Sequence, residues 1–193
     1  MKHEGMAPTS IMFFKDVGHS QEGAQEVSKL LDGGFFSGPK PQRLMQRLLT
    51  LANLKNDSVV LDFFSGSAST AHAVMSKNAE DGEHRKFIMV QLPEKCDEAS
   101  EAYKAGYKNI CEIGKERIRR AGDKIKSESP MTTQDLDIGF RVLKLDDTNM
   151  KDVYYAPDDY NQDMLAALES NIKDDRTDLD LLFGCLIDWG LPL

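Results

Sequence analysis

The sequence predicts an α/β fold organised around a strand, a tight loop and a helix at residues 58–74. The strand is indicated by a β-branched apolar run that ends at Asp62. The loop turns at Gly66, and the helical pattern behind it opens on small hydroxyl residues. After a polar connection, residues 86–92 form a second apolar run, which is typical of a buried strand. Two such runs joined by a helix predict two neighbouring parallel strands.

The chain length limits the architecture to one hydrophobic core with an appended subdomain. Its 193 residues are too few for two large domains. No apolar run approaches the roughly 18–20 residues of a membrane span, and the N-terminus lacks the layout of a signal peptide. We therefore expect a cytoplasmic protein with no membrane partner. Cys96, Cys111 and Cys185 are widely spaced, so neither a disulfide framework nor a metal site is predicted.

Acidic residues are concentrated in the C-terminal quarter of the chain. Of the 24 Lys/Arg and 32 Asp/Glu, residues 145–193 hold 3 and 12, which leaves 21 and 20 for residues 1–144. The net charge of −8 is therefore a property of the C-terminal segment. Because the first 144 residues are balanced in charge, we expect this chain alone to bind nucleic acid phosphates weakly.

The segment before the loop contains one apolar run and two helical patterns. The run Ile11-Met12-Phe13-Phe14 suits a strand or an anchored loop. Helical spacing of apolar residues predicts a helix from Ser20 to Leu31, with Ser20 as its N-cap. Pro41 favours the first position of the next helix, where its missing N–H costs nothing. By itself, the aromatic and proline-rich segment at residues 35–41 is typical of a loop before a helix.

The loop at Gly66 and the residue Glu94 carry the functional signal. Glycine lets the backbone approach a ligand, and the helix behind it points free N–H groups at whatever lies over the loop. A strand-to-helix turn of this kind also occurs in proteins that bind nothing there. Glu94 follows the second strand, where nucleotide-binding α/β units place an acid that accepts hydrogen bonds from ribose hydroxyls. Capping of a helix is the alternative role for Glu94.

A long basic helix is predicted after the second strand. Ile110, Ile113, Ile118 and Ile125 recur at helical spacing. Lys and Arg residues surround them, and a run of charge on a helix is usually a solvated face. We therefore interpret the basic residues of this helix as exposed to solvent.

The C-terminal part combines one strand pattern with acidic and apolar segments. Residues 138–145 predict a strand. The following acidic stretch has a short helical pattern at Met164-Leu165-Ala166-Ala167-Leu168. Residues 179–189 form an apolar helical segment that ends in Leu-Pro-Leu, from which we expect the natural protein to continue.

Residues 62–72 resemble the S-adenosylmethionine loop of DNA amino-methyltransferases, in particular the modification subunits of type III restriction-modification systems. Those usually read F-x-G-S-G-T-T at this point. This chain has Ala68 and Ser69 in place of Gly and Thr, which predicts weak cofactor binding. Residues 35–41 resemble the F-x-x-P-K-P segment of the same enzymes, and residues 112–121 look very like type III modification subunits.

The resemblance implies a Rossmann-like three-layer sandwich, incomplete here, with a helical acidic C-terminal extension. Residues 1–126 would be the cofactor-binding part of the methyltransferase domain, and residues 127–193 a linker, a strand and the acidic segment. DNA would be the substrate of the full-length protein, which would form a homodimer and pair with a restriction subunit. The residues implied to bind S-adenosylmethionine are Asp62, Phe63, Phe64, Ser65, Gly66, Ser67, Glu94, Phe36, Lys40 and Pro41.

The loop that would hold the target amine is missing from the sequence. Amino-methyltransferases use an Asp/Asn/Ser-Pro-Pro-Tyr/Phe loop for the flipped base, whereas no two of the seven prolines here are adjacent. We therefore predict no catalytic residues and no methyl transfer to adenine N6 by this chain alone. Two alternatives remain open: a methyltransferase that acts on RNA or a small molecule, and a non-catalytic dimerisation module.

Overall fold

The computed structural model describes residues 10–151 and 171–193. They belong to two compact units, Met1–Phe140 and Arg141–Leu193. No helix among the described residues is long and apolar enough to cross a membrane. The elements of the first unit are α1 (Phe14–Val17), α2 (Ser20–Leu31), α3 (Gln42–Leu51), β1 (Val59–Asp62), α4 (Ser69–Asp81), β2 (Lys86–Met89), α5 (Glu101–Lys104) and α6 (Ile110–Glu128).

Strands β1 and β2 form a parallel pair joined by α4, as the sequence predicts. The register runs from Val59 opposite Lys86 to Asp62 opposite Met89. Beyond the last pair, the Val90 N–H donates to the Asp62 carbonyl oxygen at 2.8 Å. The parallel crossover requires a helix between the strands, and α4 supplies it.

The inward face of this small sheet packs against helices. Side chains alternate between the two faces of a strand, which places Val60, Phe87 and Met89 on one side. There they contact two hydrophobic clusters built largely on α4. Buried members of these clusters are Ala68, Ala71, Ala73, Val74 and Met75, with Leu49 from α3 and Ile118 and Ala121 from α6.

The outward face of the sheet is apolar and open to solvent. Val59, Leu61, Ile88 and Val90 are 53%, 59%, 52% and 48% exposed. The prediction of a buried second strand is therefore wrong for its outward residues. The physical reason is that helices cover only the inward face within the described part of the chain, whereas parallel sheets are usually covered on both faces.

A third buried cluster joins α2 to α6. Val27 and Leu31 of α2 meet Ile113 of α6, with the rings of Phe35 and Phe36 packed beside them. Helix α2 spans the predicted residues, but its N-cap is His19, whose Nδ1 accepts the Glu22 N–H at 3.2 Å. The predicted cap was therefore displaced by one residue, because the imidazole nitrogen serves as the acceptor.

Two further predictions at the N-terminal side need correction. The run from Ile11 to Phe14 does not form the strand that was one of its two predicted conformations, because residues 11–13 are irregular and exposed and the run leads directly into α1 at Phe14. Pro41 is the N-cap of α3 instead of its first helical residue. An extended ψ of 145° at Pro41 places it just outside the helix.

Helix α6 spans residues 110–128, but the strand predicted after it does not form. Residues 138–145 have no strand conformation. A strand needs a hydrogen-bonded neighbour, and Ile138 instead packs on α6, where a Cβ at Gly122 would lie 2.8 Å from the Ile138 Cβ. Phe140 contacts the same cluster.

The second unit contains helix α7 (Asp178–Asp188). Thr177 and Asp180 form a capping box at its start. Its apolar residues Leu182 and Ile187 are 51% and 63% exposed. The helical pattern predicted at residues 164–168 lies outside the described residues.

Candidate cofactor-binding site

Asp62 ends β1 and braces the loop behind it. Its Oδ1 accepts the Phe64 N–H at 3.2 Å, and its Oδ2 accepts the Thr70 hydroxyl at 2.5 Å. Both carboxylate oxygens therefore bond within the loop and the first turn of α4. The resemblance implied that Asp62 binds the cofactor. In the structure its carboxylate accepts hydrogen bonds from the loop and from the first turn of α4.

Gly66 lies at the centre of the loop in a left-handed conformation. Its φ is +49°, and a Cβ there would lie 3.1 Å from Cζ of the Phe36 ring. The Gly66 N–H donates to Oε1 of Gln91 at 2.7 Å, which ties the loop to the end of β2. Gln91 had no role of its own in the sequence interpretation, since no pattern links it to Gly66 across 25 residues.

Ala68 also adopts a left-handed conformation, with φ at +59°. Its N–H closes the turn on the Ser65 carbonyl oxygen at 2.7 Å, and α4 begins at the next residue. The left-handed region favours glycine, which explains physically why a Gly suits this position in related loops. Here the methyl group of Ala68 is buried, at 2% exposure.

Ser67 and Ser69 point into the protein, on either side of Ala68. Nη1 of Arg117 donates to the Ser67 hydroxyl at 2.8 Å and to the Ser69 hydroxyl at 2.7 Å. Arg117 lies on α6 and is completely buried. The interpretation of all basic residues of this helix as solvated is therefore wrong for Arg117. Helical spacing contains the missed signal, since Arg117 lies on the same face as Ile113 and Ala121.

The segment at residues 35–41 lies against the loop. The Ser69 hydroxyl donates to the Lys40 carbonyl oxygen at 3.1 Å, and the Phe36 ring faces Gly66. Pro41 is buried, whereas Lys40 is exposed. The structure thus brings together two stretches that are separated by more than 20 residues in sequence.

An exposed aromatic pair marks the solvent side of the loop. Phe63 and Phe64 are 63% and 75% exposed, and their ring centroids are 5.2 Å apart. Ser65 continues the sheet hydrogen bonding, because its N–H donates to the Val90 carbonyl oxygen at 3.2 Å. Two neighbouring exposed rings form an apolar platform beside the glycine turn.

Glu94 is exposed on the chain that follows β2. Its carbonyl oxygen accepts the Ile110 N–H at 3.0 Å. Glu94 caps none of the helices that follow it in the described chain, since the N-caps of α5, α6 and α7 are Ser100, Asn109 and Thr177. The structure thus gives no support to the capping role. Gln91, three residues before Glu94, accepts the hydrogen bond of the Gly66 N–H in the loop.

Two buried titratable side chains, His72 and Arg117, lie near the start of α4 and have lowered pKa values. Burial, with a repulsive contribution from Arg117, lowers the pKa of His72 to about 3, so its imidazole is neutral at pH 7. Burial also lowers the pKa of Arg117 to about 10, which leaves the guanidinium charged. Within the part of the chain that the structure describes, Nε and Nη2 of Arg117 have no hydrogen-bond partner.

These residues fit a nucleoside-type cofactor with a charged tail. Helix α4 directs the unpaired N–H groups of its first turn toward the loop. Aromatic faces such as those of Phe63 and Phe64 can stack on a base or lie beside a cation. The exposed carboxylate of Glu94 can accept hydrogen bonds from ribose hydroxyls.

Comparison with known proteins identifies similar sequences. The model of the N6/N4 DNA methylase family matches residues 4–121. The chain is 40% identical over 139 residues to the type III restriction-modification enzyme StyLTI Mod subunit of Salmonella typhimurium, covering 72% of this chain and 21% of that protein. It is 37% identical over 145 residues to the EcoPI Mod subunit of Escherichia phage P1, covering 75% and 22%.

A type II enzyme is also similar. The type II methyltransferase M.KpnI of Klebsiella pneumoniae is 30% identical over 105 residues, covering 54% of this chain and 25% of that protein. The chain therefore spans about a fifth to a quarter of the length of these curated relatives.

Proposed function

The chain belongs to the N6/N4 DNA methylase family, and we propose that it is the S-adenosylmethionine-binding portion of a type III DNA adenine-N6 methyltransferase. The similarity to Mod subunits of type III restriction-modification enzymes supports the class of system. In that system the intact protein would act on DNA as a homodimer and pair with a restriction subunit.

The observation that carries this proposal is the construction of the glycine loop. Gly66 has a left-handed backbone and lies against the Phe36 ring, so the glycine turn, the segment at residues 35–41 and the start of α4 lie together. Phe63 and Phe64 would hold the adenosine part, and Glu94 would hold the ribose. Lys40 and Pro41 would lie at the methionine end.

S-adenosylmethionine supplies an electrophilic methyl group when it is bound. The residues of this chain would bind and orient the cofactor. Holding the acceptor amine would fall to an Asp-Pro-Pro-Tyr-type loop, which the sequence lacks. Binding the donor alone does not lower the barrier to transfer, so we propose that this chain is inactive by itself.

The three-layer sandwich remains part of the proposal. Val59, Leu61, Ile88 and Val90 leave the outward face of the sheet bare, and parallel sheets are normally covered on both faces. We propose that further parts of the intact methyltransferase domain cover this face. The same parts would supply the basic surface for DNA, because residues 1–144 are balanced in charge.

Titration calorimetry with S-adenosylmethionine tests the proposal. The chain should bind weakly, since an alanine occupies the usual glycine position at residue 68. Gly66→Val should abolish the heat of binding, because a branched side chain would meet the Phe36 ring. The matched variant Gly82→Val alters another left-handed glycine, at the C-cap of α4 and away from the loop. It should bind S-adenosylmethionine normally. Equal heats from all three proteins would reject the loop as the site.

The bare sheet face also favours a second candidate, a non-catalytic assembly module. An exposed apolar surface of this kind often marks a protein interface. A chain that dimerises through this face should become monomeric in Leu61→Glu, as measured by sedimentation velocity. The assembly role alone would leave the wild-type chain dimeric and unable to bind S-adenosylmethionine.

A further inference from the structure

The interior of the first unit contains a charged side chain that the cofactor contacts do not use. Arg117 is completely buried on α6. Only Nη1 is bonded, and it donates to two serine hydroxyls, whereas Nε and Nη2 have no partner among the described residues. A buried cation usually has a carboxylate partner, because its loss of hydration is otherwise poorly compensated. Glu26 attracts the guanidinium without forming one of its hydrogen bonds, so the two serine hydroxyls are the groups that hold Arg117 in place.

The two serines that Arg117 binds flank the least favourable backbone position of the loop. Ser67 and Ser69 stand on either side of Ala68, whose φ of +59° is a conformation that L-residues seldom adopt. Such a conformation persists only where surrounding contacts impose it. A single guanidinium nitrogen that holds both neighbours of Ala68 restricts the backbone between them.

The same contact reaches the second cofactor segment. The Ser69 hydroxyl receives a hydrogen bond from Arg117 and donates its own to the Lys40 carbonyl oxygen at 3.1 Å. Helix α6 also supports the loop from below, since a Cβ at Gly114 would lie only 3.2 Å from the Gly66 carbonyl oxygen. One face of α6 thus contacts the glycine turn, the start of α4 and, through Ser69, the Lys40 segment.

We propose that Arg117 is a positioning residue that holds the cofactor loop in its binding conformation by clamping Ser67 and Ser69. The identity of the ligand in this proposal rests on the proposed function. The clamp itself is a property of the free chain. Arg117 acts through the loop backbone and makes no contact with the cofactor.

Amide hydrogen exchange of the chain without cofactor tests the clamp. The Gly66 and Ala68 amides donate to Gln91 and Ser65, so their exchange reports opening of the loop. The Met75 amide lies in the buried part of α4 and reports opening of the core. In Arg117→Met we expect the loop amides to exchange about tenfold faster relative to Met75. A general loss of stability would speed the Met75 amide at least as much as the loop amides, so the ratio would not rise.

Two further variants complete the exchange test. Arg85→Met removes another buried arginine, which bonds Asp81 at the opposite end of α4, and should leave the ratio within about twofold of wild type. Ser67→Ala/Ser69→Ala removes the acceptors but keeps Arg117, and should raise the ratio as Arg117→Met does. If Arg117→Met fails to fold, the serine double variant alone tests the clamp. An unchanged ratio in the serine variant would overturn the clamp.

Cofactor titration separates the clamp from the proposed function. Arg117→Met should weaken S-adenosylmethionine binding about tenfold, and adding Ala68→Gly should restore about fivefold of it, because glycine adopts the left-handed conformation unaided. In the otherwise wild-type chain, Ala68→Gly should strengthen binding by a smaller factor than in Arg117→Met, about twofold, because the clamp already imposes most of the conformation. No rescue by Ala68→Gly would contradict the clamp. A wild-type chain that binds no cofactor would refute the proposed function, and the exchange ratio would still decide the clamp.

Discussion

Replacing Gly66 by alanine should cost stability through two separate effects. The first is backbone strain, since an L-residue in the left-handed region costs roughly 1–2 kcal/mol. The second is the approach of the new methyl group to the Phe36 ring, at 3.1 Å from Cζ, which forces the ring or the loop to shift. A forced side-chain adjustment costs about 0.5–1.5 kcal/mol.

Gly82→Ala provides the matched measurement of strain alone. Gly82 has a φ of +74° at the C-cap of α4, and no heavy atom lies within 4 Å of an added Cβ. The lower chain entropy of alanine in the unfolded state returns about 0.4–1 kcal/mol in both variants. We therefore expect Gly82→Ala to destabilise by about 1 kcal/mol and Gly66→Ala by about 2 kcal/mol.

Urea denaturation of the three proteins measures the difference directly. An excess destabilisation of about 1 kcal/mol in Gly66→Ala supports close packing of the loop against Phe36. In a Phe36→Leu background, most of that excess should disappear, because the ring that the new methyl group would meet is absent. Equal destabilisation by Gly66→Ala and Gly82→Ala would refute the reasoning about the Phe36 contact.

Three other changes have defined outcomes. Because the pKa of His72 is lowered to about 3 from 6.5, protonation favours the unfolded chain. Its contribution is present above pH 6.5 and is lost as the pH falls toward 3, by about 2 kcal/mol between pH 7 and 5. In urea titrations at both pH values, His72→Gln should remove this loss and the exposed His84→Gln should not. Gly114→Ala should weaken S-adenosylmethionine binding in calorimetry, because its Cβ would lie 3.2 Å from the Gly66 carbonyl oxygen. Gly122→Ala, on the same helix, would instead meet Ile138 and should leave binding unchanged. The 193-residue chain should incorporate no labelled methyl group into DNA, whereas a longer protein that contains the two-proline loop should methylate adenine. Clear incorporation by the short chain would contradict the prediction that it holds no catalytic residues.

The strand, loop and helix at the centre of the fold could be predicted because their signals are local. A β-branched run, a glycine and a helical repeat each favour one conformation over a few residues, so β1, β2 and the start of α4 were found within one to three residues. Helix α4 continues to Asp81, beyond the predicted range that ends at residue 74. Residues 138–145 carry an equally good strand pattern. They form no strand because Ile138 packs on α6, and the pattern alone cannot supply a hydrogen-bonded neighbour.

The contacts that hold the candidate site depend on distant parts of the chain. Arg117 lies 50 and 48 residues from the serines it binds, and Gln91 lies 25 residues from Gly66. Sequence patterns assign a basic residue on a helix to solvent by default, since charge is seldom buried. The helical spacing that places Arg117 on the same face as Ile113 and Ala121 is a sequence signal for its burial, but it competes with that default.

Binding of S-adenosylmethionine at the Gly66 loop is the central claim, and amide chemical shifts measure it residue by residue. Titration of the labelled chain should move the Gly66, Ser67 and Glu94 amide signals with a common binding curve. The Gly82 amide, at the other end of α4, should stay in place. Shifts that leave Gly66 and Ser67 unmoved at saturating cofactor, or that are as large at Gly82, would contradict the claim.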